Sequence, residues 1–273
     1  MPQNEGVRPG SPHRERDRDR IGYGHGHGHG HRPRSSATAI GHGHRPRVRV
    51  RVRFADIAIL TGMHEGFFIT FEGGEGTGKT TQIRMLAEHL ESLGHTVVVT
   101  REPGGTPVAE AARAILLDPA LQPDGMTEVF LLEAARRDHV ERIVRPALDR
   151  GDVVISDRYA DSSTVYQGMV RDLGEELVIQ LNRLATGDLE PDLTVVFDLD
   201  PEIGVGRAQS RNESGDGSES RLDDEPAEFH RRVRAGFLRL AELHPDRVRV
   251  IDASGDSDVV FERVLAVLPG ELR

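Results

Sequence analysis

With 45 acidic against 35 basic residues in 273, the chain carries a formal net charge of −10, which argues against broad nucleic-acid binding and leaves any anionic ligand to local arginine and lysine clusters. It contains no cysteine, so disulfides, thiolate metal sites and a cysteine nucleophile are excluded. No stretch approaches the roughly 20 apolar residues of a membrane span, and no signal segment with an apolar centre opens the chain; a cytoplasmic protein bound to neither nucleic acid nor membrane is expected.

The charge is unevenly divided. Residues 1–62 hold twelve Arg and five acids, a local +7, and the remainder carries −17. Runs such as HRERDRDR, GYGHGHGHGHRPR and VRVRVRF offer few apolar side chains to a core, so burial cannot offset the entropy of ordering and disorder is predicted for 1–62. His25, His27, His29, His31, His42 and His44 alternate with glycine and offer a loose site for Ni²⁺ or Zn²⁺; the plainer reading is a low-complexity extension, or an upstream start preceding Met63. Residues 63–273 then form one domain of ordinary size.

From Met63 the elements alternate. Phe67 to Phe71 are almost continuously apolar, as in a central strand covered on both faces. They run into GGEGTGKTT: Gly73, Gly74, Glu75, Gly76, Thr77, Gly78, Lys79, Thr80 and Thr81. This is a P-loop, in which glycines turn backbone N–H groups around a phosphate, the next helix adds its positive dipole end and the lysine adds a point charge. The threonine hydroxyl of Thr80 is left for Mg²⁺. Lys79 is the only lysine among the 35 basic residues, at a place where a compact ammonium serves better than a planar fork.

Ile83, Leu86, Ala87, Leu90 and Leu93 recur at helical spacing, closed by Gly94. TVVVT predicts a second buried strand, ending in the Pro- and Gly-rich loop TREPGGTP from Thr100 to Pro107. Such a loop at a strand's C-terminal end is where open parallel sheets bind ligands. A short helix spans Ala109 to Leu117, and a long one runs from about Met126 to Leu148 with Pro146 as a local irregularity. DVVISD is the third strand, ending in Asp157, Arg158 and Tyr159. Helical segments fill 162–187, LTVVFDLD is the fourth strand, two helices flank RNESGDGSESRLDDE, VRVIDAS is the fifth strand, and Val259 to Leu268 make a last helix. Strands alternating with helices predict a doubly wound α/β fold around a five-stranded parallel sheet.

A P-loop alone does not choose among ATPases, GTPases and kinases. The base-reading N-K-x-D of GTPases needs a second lysine, and the chain is small for a motor, so a small-molecule kinase remains. From Met63 onward the sequence resembles the thymidylate kinase family through four motifs in order: FEGGEGTGKTT, TREPGGT, a pattern running from Glu128 through Ala134 and Arg136 to His139, and DRY-x-x-SS-x-x-YQG from Asp157 to Gly168. The resemblance implies a P-loop kinase fold with a lid, a homodimer, and Mg²⁺-dependent transfer from ATP to dTMP. It implies that Glu75 faces the acceptor near its 3′-hydroxyl, that Arg158 grips the acceptor phosphate, that Arg136 reaches the thymine and phosphate region, and that Ser162, Ser163, Tyr166 and Gln167 form the base and sugar pocket. Asp157 ends its strand like a Walker-B acid and is the expected partner of Mg²⁺ with Thr80.

The sequence departs from the family at two places. Leu132 stands where a Phe or Tyr usually stacks on the base, a loss of around 1 kcal/mol, which keeps dUMP, dCMP or thymidine open as alternative acceptors. Gly76 stands where some members carry an arginine, which passes the charge-neutralising task to the lid, among Arg207, Arg211 and Arg221. Arg221 matches the arginine of the family's D-R-I-E with Ser220 in place of the aspartate. A non-catalytic nucleotide- or metal-binding protein using the histidine tail is the reading from a different class.

Overall fold

The computed structural model describes residues 64–213 and 225–273; the expectations for 1–62 and for the middle of the lid insert lie outside the described residues. Five strands form one sheet in the order β2-β3-β1-β4-β5, with every neighbouring pair parallel. They are β1 (Phe67–Glu72), β2 (Val97–Arg101), β3 (Val153–Asp157), β4 (Leu193–Asp198) and β5 (Val248–Asp252). The connections carry α1 (Lys79–Ser92), α2 (Pro107–Leu117), α3 (Gly125–His139), α4 (Arg145–Asp149), α5 (Ala160–Ser163), α6 (Glu175–Thr186), α7 (Pro201–Glu213) and α8 (Ala227–Leu243); α9 (Ser257–Val267) follows β5.

Alternation along the strands explains why both faces are covered. Ile69 and Phe71 of β1 join Ile155, Val195 and Phe197 on one face, against Ile83, Leu86 and Leu90 of α1 and Val260 and Val264 of α9. The neighbouring positions Phe68 and Val154 face the other way, onto Val140, Val144, Leu148 and Tyr159. Val196 and Val248 lie against Val233, Phe237 and Leu240 of α8. Continuous apolar strands are thus the requirement of a two-sided sheet, and β1 sits at its centre as its composition predicts.

One expectation needs correction. TVVVT is not a buried strand: β2 occupies an edge, and Val99 is exposed. The long helix expected over 126–148 is present: the chain is helical without a break from 125 to 149, and the irregularity at Pro146 takes the form of a π-helical turn at Val140–Val144 between α3 and α4, which widens the helix just before the residue that lacks an N–H. A second π-helical segment, Thr164–Val170, follows α5. Elsewhere local chemistry sets the boundaries: the Thr106 hydroxyl caps α2 by accepting from Ala109 N–H, and Asp124 caps α3 by accepting from Met126 and Thr127 N–H.

Candidate active site

All the predicted motifs meet at the C-terminal edge of β1, β2 and β3. The P-loop turns from β1 into α1, where Gly78 takes φ 93 at the helix N-cap. Lys79 is buried, and its Nζ donates to the carbonyls of Gly73 (3.1 Å) and Gly74 (2.7 Å). Burial, and then the repulsion of Arg158, bring its pKa down to about 8 although Glu75, Asp157 and Glu72 pull upward. Thr80 Oγ1 donates to Asp157 Oδ2 at 3.2 Å, so the predicted hydroxyl and strand-end carboxylate are brought together. The exposed Thr81 lies one step further along the helix.

Gly76 shows why an arginine is absent from the P-loop. It has φ +64, and a Cβ built on it would lie 1.9 Å from the carbonyl oxygen of Gly204. The converse holds too, a Cβ on Gly204 lying 2.4 Å from the carbonyl oxygen of Glu75. P-loop and α7 backbone touch directly, and no side chain fits between them.

Arg158 follows β3 with φ 69, a left-handed conformation that costs a non-glycine residue about 1–3 kcal/mol. Its N–H is held by the carbonyl of Phe71 and its carbonyl by the Ser156 hydroxyl. The side chain donates to Glu75 Oε1 (2.7 Å) and Ser162 Oγ (3.2 Å) and lies 5.1 Å from the centre of the Tyr166 ring. Burial would weaken its charge, but Tyr166, Glu75, Glu72 and Asp157 outweigh that and raise its pKa. Glu75 shows the mirror image: burial raises it, while Arg158, Lys79, His230 and a 3.4 Å hydrogen bond from the Tyr166 hydroxyl bring the net pKa below the usual carboxylate value.

Beside these groups opens a cleft lined by Glu102, Pro103, Leu132, Arg136, Arg158, Tyr159, Ser162, Ser163, Tyr166 and Gln167. It therefore collects all the residues predicted for the acceptor except Glu75, which reaches it through Arg158 and Tyr166. Leu132 is half-buried on its wall. Arg136 is not a solvated helix arginine. It is 2 % exposed and uses its full donor set: Nε to Glu102, Nη1 to Glu133 and Asn182, and Nη2 to Ser163 Oγ and the Tyr159 carbonyl. Burial opposes its charge, but Glu133 and Glu102 keep it strongly protonated. With its N–H groups committed, Arg136 builds the cleft wall and offers an approaching ligand mainly its guanidinium plane.

The motifs also explain one another. Glu102 of TREPGGT receives Arg136 and pairs with His139 Nδ1 at 2.8 Å, and His139 Nε2 lies 2.7 Å from Thr100 Oγ1. Glu128 accepts from Gln167 Nε2 at 2.5 Å. The second, third and fourth motifs are thus one buried hydrogen-bonded unit. Sequence reasoning missed Glu72, whose carboxylate accepts from Tyr159 N–H and the Ser162 hydroxyl. Burial, partly countered by Arg158, lifts its pKa to about 7. The only signal was an acid closing an apolar strand. Asn182 was missed as well; its partners come from segments far away in sequence.

Of the lid arginines, Arg207 is exposed on α7. The side chain of Arg211, in the last turn of α7, and the whole of Arg221 lie outside the described residues.

A glycine-rich loop of P-loop sequence, a threonine hydroxyl bonded to a strand-end carboxylate and a neighbouring cleft with its own buried arginine fit a P-loop enzyme of the phosphoryl-transfer class. Residues 71–264 match the sequence profile described as thymidylate kinase. The chain is 49 % identical over 200 residues to the thymidylate kinase of Syntrophotalea carbinolica, covering 72 % of this chain and 93 % of that protein. It is 48 % identical over 207 residues to that of Caulobacter vibrioides, covering 76 % and 97 %. The crystal structure of thymidylate kinase from Ehrlichia chaffeensis superposes with a TM-score of 0.60 at 36 % identity, covering 75 % of this chain and 99 % of that one. The chain belongs to the thymidylate kinase family.

Proposed function

We propose that this protein transfers the γ-phosphoryl group of ATP to dTMP, giving dTDP and ADP on the route to dTTP. The observation that carries this reading is the placing of the cleft: Arg158 and Tyr166 line it and also hold Glu75 of the P-loop, so an acceptor phosphate held there lies next to the donor phosphates. The P-loop amides and Lys79 hold the donor. Arg158 binds the acceptor phosphate, Glu75 faces the deoxyribose, and Ser162, Ser163, Tyr166, Gln167 and Leu132 receive the sugar and base beside Arg136.

The attacking atom is an oxygen of the acceptor phosphate. At neutral pH it is already ionised, so no general base is needed. It forms a bond to the γ-phosphorus as the bond to the ADP oxygen breaks, and catalysis reduces to positioning and charge neutralisation. Thr80 and Asp157 suit Mg²⁺: both are hard oxygen donors, and this ion takes one or two protein ligands with the rest from phosphates and water. When bound, Mg²⁺ neutralises phosphate charge. We assign the remaining cationic task to Arg211 or Arg221 of the lid.

No helix among the described residues is long and apolar enough to cross a membrane, and we place the protein in the cytoplasm. A homodimer is supported by apolar side chains exposed one heptad apart, Val108 and Ile115 on α2 and Leu177 and Leu184 on α6, with Phe130 exposed on α3. We assign the kinase to residues 63–273 and give residues 1–62 no catalytic role.

A coupled ADP-release assay with dTMP, dUMP, dCMP and thymidine, on the full chain and on one starting at Met63, tests the reading. Equal turnover by the two chains with dTMP as the preferred acceptor is expected. Preference for another acceptor would overturn the specificity, and no transfer to any would overturn the reaction.

A further inference from the structure

Helix α8 carries a titratable group that none of the roles above uses. His230 is 6 % exposed, and its Nε2 has no hydrogen-bond partner among the described residues. Buried polar atoms are nearly always satisfied, and an apolar side chain would fill the same space without leaving a nitrogen unpaired. The ring borders a narrow cavity of about 20 Å³, shared with Gly73, Gly74, Glu75 and Thr77 of the P-loop. That volume suits one water molecule, provided polar groups surround it. The P-loop and His230 provide them.

The carboxylate of Glu75 has two donors already, Arg158 Nη2 at 2.7 Å and the Tyr166 hydroxyl at 3.4 Å. Both donors reach Oε1, and no donor among the described residues reaches Oε2, which keeps capacity for a further hydrogen bond. Tyr166 in turn packs near Phe229 and Phe237 of α8, with ring centres 6.0 and 6.1 Å apart. One helix therefore supports both the hydroxyl that touches Glu75 and the imidazole beside it.

We propose that His230 is a positioning residue for Glu75, presenting Nε2–H to the P-loop carboxylate through one bridging water in this cavity. The interaction holds Glu75 in the orientation that Arg158 and Tyr166 select, so that the acid meets the acceptor's sugar without drifting into the phosphate site. This inference rests on Glu75 facing the acceptor. It assigns the Nε2–H tautomer and requires no contact between His230 and either substrate.

Steady-state kinetics of the full chain carrying His230→Phe or His230→Gln, each alone and combined with Glu75→Gln, test it. His230→Phe should lower kcat/KM for dTMP by about tenfold while KM for ATP stays within about twofold. His230→Gln keeps an amide donor near the Nε2 position and should recover most of the loss. In the Glu75→Gln background, His230→Phe should have little further effect, because its target is gone. Full activity of His230→Phe, an equal loss in both His230 variants alongside an equal fall in Tm, or an unchanged effect in the Glu75→Gln background would each overturn the proposal. If His230→Phe does not fold, His230→Asn, whose amide is too short for the same reach, takes its place with the same expected outcomes. Failure of the functional reading is separable: it appears in the unsubstituted chain as preference for a different acceptor, against which the coupling of the two positions is still measured.

Discussion

Glu72 is the residue whose environment departs furthest from what its neighbours in sequence suggest. It is fully buried behind Ser162 of the cleft wall, and its pKa of about 7 reflects desolvation that Arg158 and two hydrogen bonds offset only in part. The folded value lies above the unfolded one, so the folded state holds the proton more tightly. Its contribution to stability is complete below about pH 4.5 and is lost as pH rises through about 7, by about 3 kcal/mol in all. Glu72→Gln keeps the acceptor oxygen for Tyr159 N–H and removes the titration. Its Tm should fall less than that of the natural chain between about pH 5 and 8, as measured by scanning fluorimetry; parallel curves would show that Glu72 does not titrate there. Apolar periodicity marks Phe68 to Phe71 as buried, but it says nothing of a carboxylate at the end of the run, because the cost of burying that group depends on Arg158, some 86 positions away in the chain.

At the scale of elements, the backbone contact between the P-loop and α7 ties the loop to the helix that precedes residues 214–224. It depends on two glycines facing each other, Gly76 and Gly204. Gly204→Ala would place a methyl 2.4 Å from the Glu75 carbonyl oxygen, and backbone on backbone gives no flexible side chain to yield. We expect a destabilisation of about 1–3 kcal/mol and a loss of kcat larger than that of a Gly206→Ala control, where a Cβ meets nothing within 4 Å. Unfolding midpoints and turnover of the two variants check this; equal behaviour would remove the coupling. Gly76 was legible as a missing arginine, but its reason was not, since the opposing glycine lies on a different element. The α-helices themselves were readable from 3.6-residue spacing and caps. The π-helical turns at 140–144 and 164–170 were not, because a single inserted residue shifts the phase without changing the apolar character of the segment.

For the whole molecule, helices α2, α3 and α6 pack in succession and leave Val108, Ile115, Phe130, Leu177 and Leu184 exposed, Leu184 at 77 %. Covering this face is the role we give the homodimer. Leu184→Asp should shift the mass measured by light scattering from dimer to monomer and make Tm insensitive to protein concentration. A natural chain that is monomeric at micromolar concentration would overturn the assignment. The heptad spacing of these side chains can be counted in the sequence, but their exposure cannot: Val129 and Ala135 on the same helices are buried, and only the packing order separates the two sets.

What the sequence determined by itself was whatever depends on local geometry and on residue types that cannot be exchanged. The P-loop needs its glycines and its lysine at set spacing, a two-sided parallel strand needs continuous apolar residues, and the four motifs pick out one cleft. Tertiary structure decided where each strand sits in the sheet, which arginine stands free and which is locked in place, and how far a carboxylate's proton affinity moves. Those properties are sums over neighbours brought from the length of the chain. GGEGTGKTT states its own chemistry in nine residues, yet the Glu75 carboxylate is held by Arg158 and Tyr166, more than 80 positions further along the chain.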